Sequence, residues 1–114
     1  MRVLVCGSRD WVDAAAIRAR LSKLPNDTVI VHGAAPGADS LAGREAVKLG
    51  FVVEAYPAAW GLYGRAAGPI RNRQMLDTSP DLVIAFHYDI ASSHGTRDCV
   101  LEAKRRGIAV EILP

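Results

Sequence analysis

Arg2-Val3-Leu4-Val5-Cys6-Gly7-Ser8-Arg9-Asp10 sets four apolar residues in unbroken succession and ends them on a glycine, a hydroxyl and two charges. A strand with one solvated face alternates apolar and polar side chains, whereas a strand covered on both faces, as in a parallel sheet, does not. Four more short, branched runs share this near-continuous apolar character: Thr28 to His32, Phe51 to Ala55, Asp81 to His87 and Ile108 to Ile112. With Arg2 to Cys6 they read as five strands, each covered on both faces.

Helical patterns fill the intervals. Asp13 to Leu24 puts Ala14, Ile17, Leu21 and Leu24 on one stripe, with Asp10 or Asp13 available to cap it. Asp39 to Leu49 does the same with Leu41, Ala42, Ala46 and Leu49, and stops at Gly50. A third helix starts near Pro69, which fits a first turn, and runs to about Asp77. A fourth spans Thr96 to Arg106 with a basic last turn before Gly107. The order βαβαβαβαβ predicts one doubly wound α/β domain over residues 1 to 114, a Rossmann-like five-stranded parallel sheet ordered 3-2-1-4-5 with helices on both faces. Its ligand crevice is expected at the carboxyl ends of strands 1 and 4. Tyr56 to Gly68 is the one irregular stretch, longer than the usual strand-to-helix loop of about 2 to 6 residues, and reads as a binding loop.

Composition narrows the function classes. The chain has 114 residues, half of them hydrophobic, and 14 basic against 12 acidic side chains, too apolar and too nearly neutral for disorder. One domain of this length buries roughly 65% of its unfolded surface. No run reaches the ~20 apolar residues that span a membrane, and the first strand passes into Gly7 without a signal-peptide pattern, so a soluble, cytoplasmic protein with no membrane partner is expected. Cys6 and Cys99 are too far apart for a spaced zinc site and read as reduced; neither a metal nor a cofactor is expected. Eleven of the basic residues are arginines, suited to phosphate, yet scattered rather than blocked as in a dedicated duplex-DNA reader.

The chemistry-bearing residues sit at strand ends. Gly7, Ser8 and Arg9 offer close backbone approach, a hydroxyl and a guanidinium to an anion. After strand 2, Gly33, Ala34, Gly37, Ala38 and Asp39 form a second small-residue loop, in which Asp39 either caps the next helix or accepts from a ribose hydroxyl. His32 reads as a hydrogen-bonded, partly buried side chain. Trp60 and Tyr63 are placed to stack on a base, and Arg65, Arg71 and Asn72 to reach phosphate or sugar; the competing reading packs the aromatics on the sheet edge and leaves Arg71 and Arg73 as solvated pairs. Ser92-Ser93-His94-Gly95-Thr96-Arg97-Asp98 brings a third glycine loop, and Gly95 and Thr96 supply N–H groups and a hydroxyl.

These residues, in this order and spacing, resemble the SLOG superfamily, named for Smf/DprA and the LOG phosphoribohydrolases, and within it the YspA-like branch. The resemblance rests on Gly7-Ser8-Arg9, His32-Gly33-Ala34 through Gly37-Ala38-Asp39, Tyr56-Pro57, Arg71-Asn72-Arg73-Gln74-Met75 and Gly95-Thr96. It implies a Rossmann-like domain binding a nucleotide or a phosphoribosyl or ADP-ribose-like ligand, and a pocket of that kind without the LOG glutamate would suit a sensor or sequestering module. LOG enzymes carry R-K-x-x-M and P-G-G-x-G-T-x-x-E segments. Asn72 here stands for the lysine, Ser93-His94 replace the glycine pair, and Cys99 stands where the glutamate falls. A LOG-like hydrolase would therefore need Asp98 or Asp39 to assist water at the N-glycosidic bond. A DprA-like single-stranded nucleic-acid binder is the other alternative, since Gly33 to Asp39 echo the DprA glycine-rich segment. SLOG relatives often pair, so a homodimer or higher homo-oligomer is expected.

Overall fold

The computed structural model describes residues 1–90 and 93–114. β1 (Arg2–Gly7), β2 (Val29–His32), β3 (Val52–Ala55), β4 (Leu82–Phe86) and β5 (Ala109–Leu113) form one sheet in the order β3-β2-β1-β4-β5. Every neighbouring pair is parallel, with Leu4 level with Val31 on one side and Val83 on the other. The predicted architecture and strand order are those observed.

The unbroken apolar runs have a direct cause. Val3 and Val5 point with Ile30, Ile84 and Phe86 to one face, which α1 (Ala14–Leu21) and α2 (Ala38–Lys48) cover through Ile17, Leu21, Ala42 and Ala46. Leu4 and Cys6 point with Val31, Val83 and Ala85 to the other. There Met75 and Leu76 of α4 (Ala67–Leu76) meet Cys99, Val100 and Ala103 of α5 (His94–Arg105). Successive strand residues alternate faces, so burial on both sides demands apolar residues at both. The outer strands depart from that expectation. β3 and β5 are only partly covered because they form the sheet edges, and Val52 is 63% exposed. Their glutamates serve ion pairs, Glu54 with Arg2 at 2.6 Å and Glu111 with Arg20 at 2.5 Å.

Helix boundaries also shift. α1 is shorter than the stripe suggests: Asp13 caps it by accepting from the Ala16 N–H at 3.0 Å, and after Leu21 the chain tightens into turns while Leu24 stays in the core. α5 begins at His94 rather than Thr96, because the Ser93 hydroxyl accepts from the Thr96 N–H and places the cap two residues earlier. The stretch expected to be irregular is largely helical. It contains α3 (Trp60–Tyr63), a 3₁₀ turn (Gly64–Ala66) and the start of α4 at Ala67, two residues ahead of Pro69. Proline is tolerated there because the first-turn N–H groups lack intrahelical acceptors.

Two glycines let the strand ends close up. A Cβ on Gly7, at φ +155°, would lie 2.2 Å from Phe86 O. One on Gly37, at φ +76°, would lie 2.3 Å from Ser8 O. With both Cβ atoms absent, Ser8 donates to Phe86 O at 2.9 Å and accepts from the Ala38 N–H at 3.0 Å, tying β4, the β1 loop and α2 together. The crevice forms where these loops part, at the carboxyl ends of β1 and β4. Among the described residues no helix is long and apolar enough to cross a membrane.

Candidate functional site

The crevice holds a hollow of about 430 Å³, within the range of small-molecule sites. Ten of the residues singled out in the sequence line it: Gly7, Arg9, Asp39, Trp60, Arg65, Arg71, Asn72, Gly95, Thr96 and Asp98. A smaller adjoining hollow of about 270 Å³ takes in Gly33 and Ala34 and shares Arg9, Ala35, Trp60 and Arg71 with the first. Ser8, Gly37 and Ala38 line neither; they hold the loops from behind, and the Ser8 hydroxyl accepts from the Asp10 N–H in its own turn. Ser92 of the third loop lies outside the described residues.

Arg71 and Asn72 enter the site from α4, both buried, so the reading of Arg71 as a solvated pair does not hold. Arg71 Nη1 donates to Gly33 O and, at 3.4 Å, to Tyr56 O, while Nε donates to Asn72 Oδ1 at 3.0 Å. Nη2 has no protein partner among the described residues and is not sealed from solvent. Asn72 passes the connection on, donating from Nδ2 to Gly95 O at 3.2 Å and to Asp98 Oδ2 at 3.1 Å. Thr96 Oγ1 donates to Gly7 O at 3.0 Å, closing the ring between β1 and α5.

Asp39 does not cap α2, whose N-cap is Gly37. Its Oδ2 instead reaches back to accept from the N–H groups of Gly33 at 2.9 Å and Ala35 at 3.4 Å, fixing the loop that precedes it. Burial raises its carboxyl to about 6, against the opposing pull of Arg71 and of the two backbone donors. His32 fills the role read from sequence: it is buried, and Nδ1 accepts from the Ala34 N–H at 3.0 Å. Burial first, then Arg71, lowers its pKa, so the ring is neutral and its proton sits on Nε2. Ala34 itself adopts φ +58°, a conformation rare for a residue with a Cβ, beside the smaller hollow. Trp60 is half-exposed, its ring edge over Gly68.

Sequence reasoning missed Cys6, Ala35, Gly68, Pro69, Met75, Ser93 and His94 as lining residues. Helical spacing carried a signal for two of them: Met75 lies one turn beyond Arg71, and Gly68 one turn before it. Cys99, at the LOG glutamate's position, is 1% exposed in the core beside Cys6; its proximity and burial hold the Cys6 thiol well above the ordinary range. Among the described residues no group of three His, Cys, Asp or Glu is arranged to hold a metal.

Fold and crevice together define a Rossmann-like α/β protein compatible with a nucleotide-like or nucleic-acid partner. The chain belongs to the YspA, cpYpsA-related SLOG family (YAcAr), whose model matches residues 1–63. It is 40% identical, over a 118-residue alignment, to the Gene 61 protein of Mycobacterium phage D29, covering 96% of this chain and 93% of that protein. Its fold is also similar to that of DNA processing protein A (DprA) from Streptococcus pneumoniae, with a TM-score of 0.79 and 24% identity over 99% of this chain. The chain spans half the length of that DprA chain.

Proposed function

We propose that the crevice binds a nucleotide-like, phosphorylated ligand. The observation that carries this reading is one hollow in which the β1 loop, the α3–α4 segment and the start of α5 converge with arginine, glycine and a half-exposed tryptophan. In this reading Arg9, Arg65 and Nη2 of Arg71 meet the phosphate, and a base stacks on Trp60. The backbone at Gly33 and Ala34 lines the adjoining hollow for a second part of the ligand. Cys99, which offers no carboxylate where the LOG resemblance calls for one, favours retention over cleavage.

The test is a thermal-shift screen against AMP, ribose 5-phosphate, NAD, ADP-ribose and cyclic nucleotides, with chromatography of the same mixtures. Ligand at 100 times its Kd stabilises by about 2.7 kcal/mol, a rise of roughly 10 °C in Tm for a chain of this size. A shift with intact ligand is the expected result. Released base would turn the reading into a hydrolase in which Asp98 or Asp39 assists water, and no shift with any compound would overturn it.

A second reading is a single-stranded nucleic-acid binder, and the likeness to DprA bears on it more than on the first. Trp60 and Tyr63 stand exposed on the segment that carries Arg65, as stacking side chains on such a path would. Oligonucleotide affinity that falls steeply with salt would favour it, whereas a small-ligand pocket gives a shallow slope. The same rim is where we place pairing with a second copy of the chain, tested by light scattering on the purified protein. A cytoplasmic setting belongs to this proposal, supported by two free, buried cysteines.

A further inference from the structure

Two carboxylates among arginines need a reason, because a ligand presenting only phosphate would be repelled by both. They are engaged differently. Asp39 commits Oδ2 to two loop N–H groups and is almost fully buried against Arg71, so the scaffold fixes its place. Asp98 is partly exposed on α5 and lines the larger hollow. Asn72 donates to its Oδ2, and Oδ1 has no protein partner among the described residues. The Asn72 amide is itself anchored by Gly95 O and by Nε of Arg71. An acceptor pinned through one oxygen and open at the other is oriented to take a donor from the ligand.

We infer that Asp98, positioned by Asn72, reads the hydroxyls of the ligand's sugar, so that the crevice selects ribonucleotides over their 2′-deoxy counterparts. The inference rests on the nucleotide reading above and deepens it. A phosphorylated ligand whose anionic end lies on Arg71 brings its sugar next to that phosphate, and Asn72 and Asp98 follow Arg71 along the same hydrogen-bonded chain. A vicinal diol offers two O–H donors, which Oδ1 and the remaining lone pair of Oδ2 can accept together, as acidic residues in dinucleotide folds do. A site built around a hydroxyl discriminates against the analogue lacking it because the acceptor is left unpaired. Water reaches Asp98 in part, so the discrimination is moderate, roughly 10- to 100-fold.

The experiment is calorimetric titration of the full chain with the four ribonucleoside 5′-monophosphates and their 2′-deoxy forms. The expected result is tighter binding of each ribo form than of its deoxy form, a ratio that collapses to within about twofold in Asp98→Ala. Asn72→Ala, and Asp98→Asn as a variant of unchanged shape, should lower the same ratio. A merely structural role would weaken both sugars equally and leave the ratio intact. Equal affinities in the native protein, a ratio unmoved by Asp98→Ala, or discrimination that follows the base rather than the sugar would each overturn the inference while leaving nucleotide binding standing. If neither sugar series binds, the nucleotide reading itself falls and takes the inference with it.

Discussion

Gly33 leaves no room for a side chain: a Cβ there would lie 2.3 Å from Arg71 Nη1 and 2.9 Å from Asp39 Oδ2. Gly33→Ala should therefore cost about 1–3 kcal/mol and displace the buried arginine, read as a lower Tm together with weaker ligand binding. Gly95 is the contrast, with nothing within 4 Å of its built Cβ. Gly95→Ala should leave Tm unchanged or raise it by up to about 1 kcal/mol equivalent, so any loss of affinity in that variant reports ligand approach alone. Asp39 makes a pH prediction. Its carboxyl sits near 6 in the folded chain against an ordinary value of 3.8, so between those values the folded state holds more protons than the unfolded one. Its contribution is then fully present below about pH 4 and declines through pH 6, by about 3 kcal/mol in total. Denaturant unfolding across that range should show the decline, and Asp39→Asn should flatten it. The residue types were legible in the sequence, but the partner of Asp39 was not. Its carboxylate turns back to Gly33 and Ala35 from the second residue of α2, whose cap is Gly37 at φ +76°, an entry that no propensity rule fixes.

At the scale of elements, short helices depend on their ends. α1 has eight residues and only Ile17 and Leu21 fully buried, so its Asp13 cap carries weight. Asp13→Ala should cost about 1 kcal/mol, checked by chemical denaturation with an unchanged m-value. The strands were read to within a residue at each end: in β1, β2 and β4 double-sided burial leaves an unbroken apolar run, and in the edge strands β3 and β5 branched residues at the covered positions still mark the run. Trp60 to Ala66 escaped for the opposite reason. Trp60, Leu62 and Tyr63 are all exposed, so this turn of helix has no buried stripe to announce it, and Gly61 and Gly64 within it argue locally for loop.

Across the whole molecule, the crevice is a product of chain reversal in the sheet. β1 is followed by β2 on one side while β4 lies on the other, so the loops leaving them diverge and the space between belongs to neither. A ligand there touches segments far apart in sequence. Hydrogen exchange should accordingly slow together at residues 33–35, 71–72 and 94–97 on saturation, and protection confined to one of the three would count against a shared site. The five strands, their parallel order and the position of the crevice were legible in the chain alone, because apolar periodicity and glycine at strand ends are local marks of burial and close approach. Which groups meet there was settled by packing alone. Arg71 reaching Gly33, Asn72 reaching Asp98 and Thr96 reaching Gly7 are bonds between segments 38, 26 and 89 residues apart, and such pairings are fixed by how the helices settle on the sheet rather than by any neighbour in the chain.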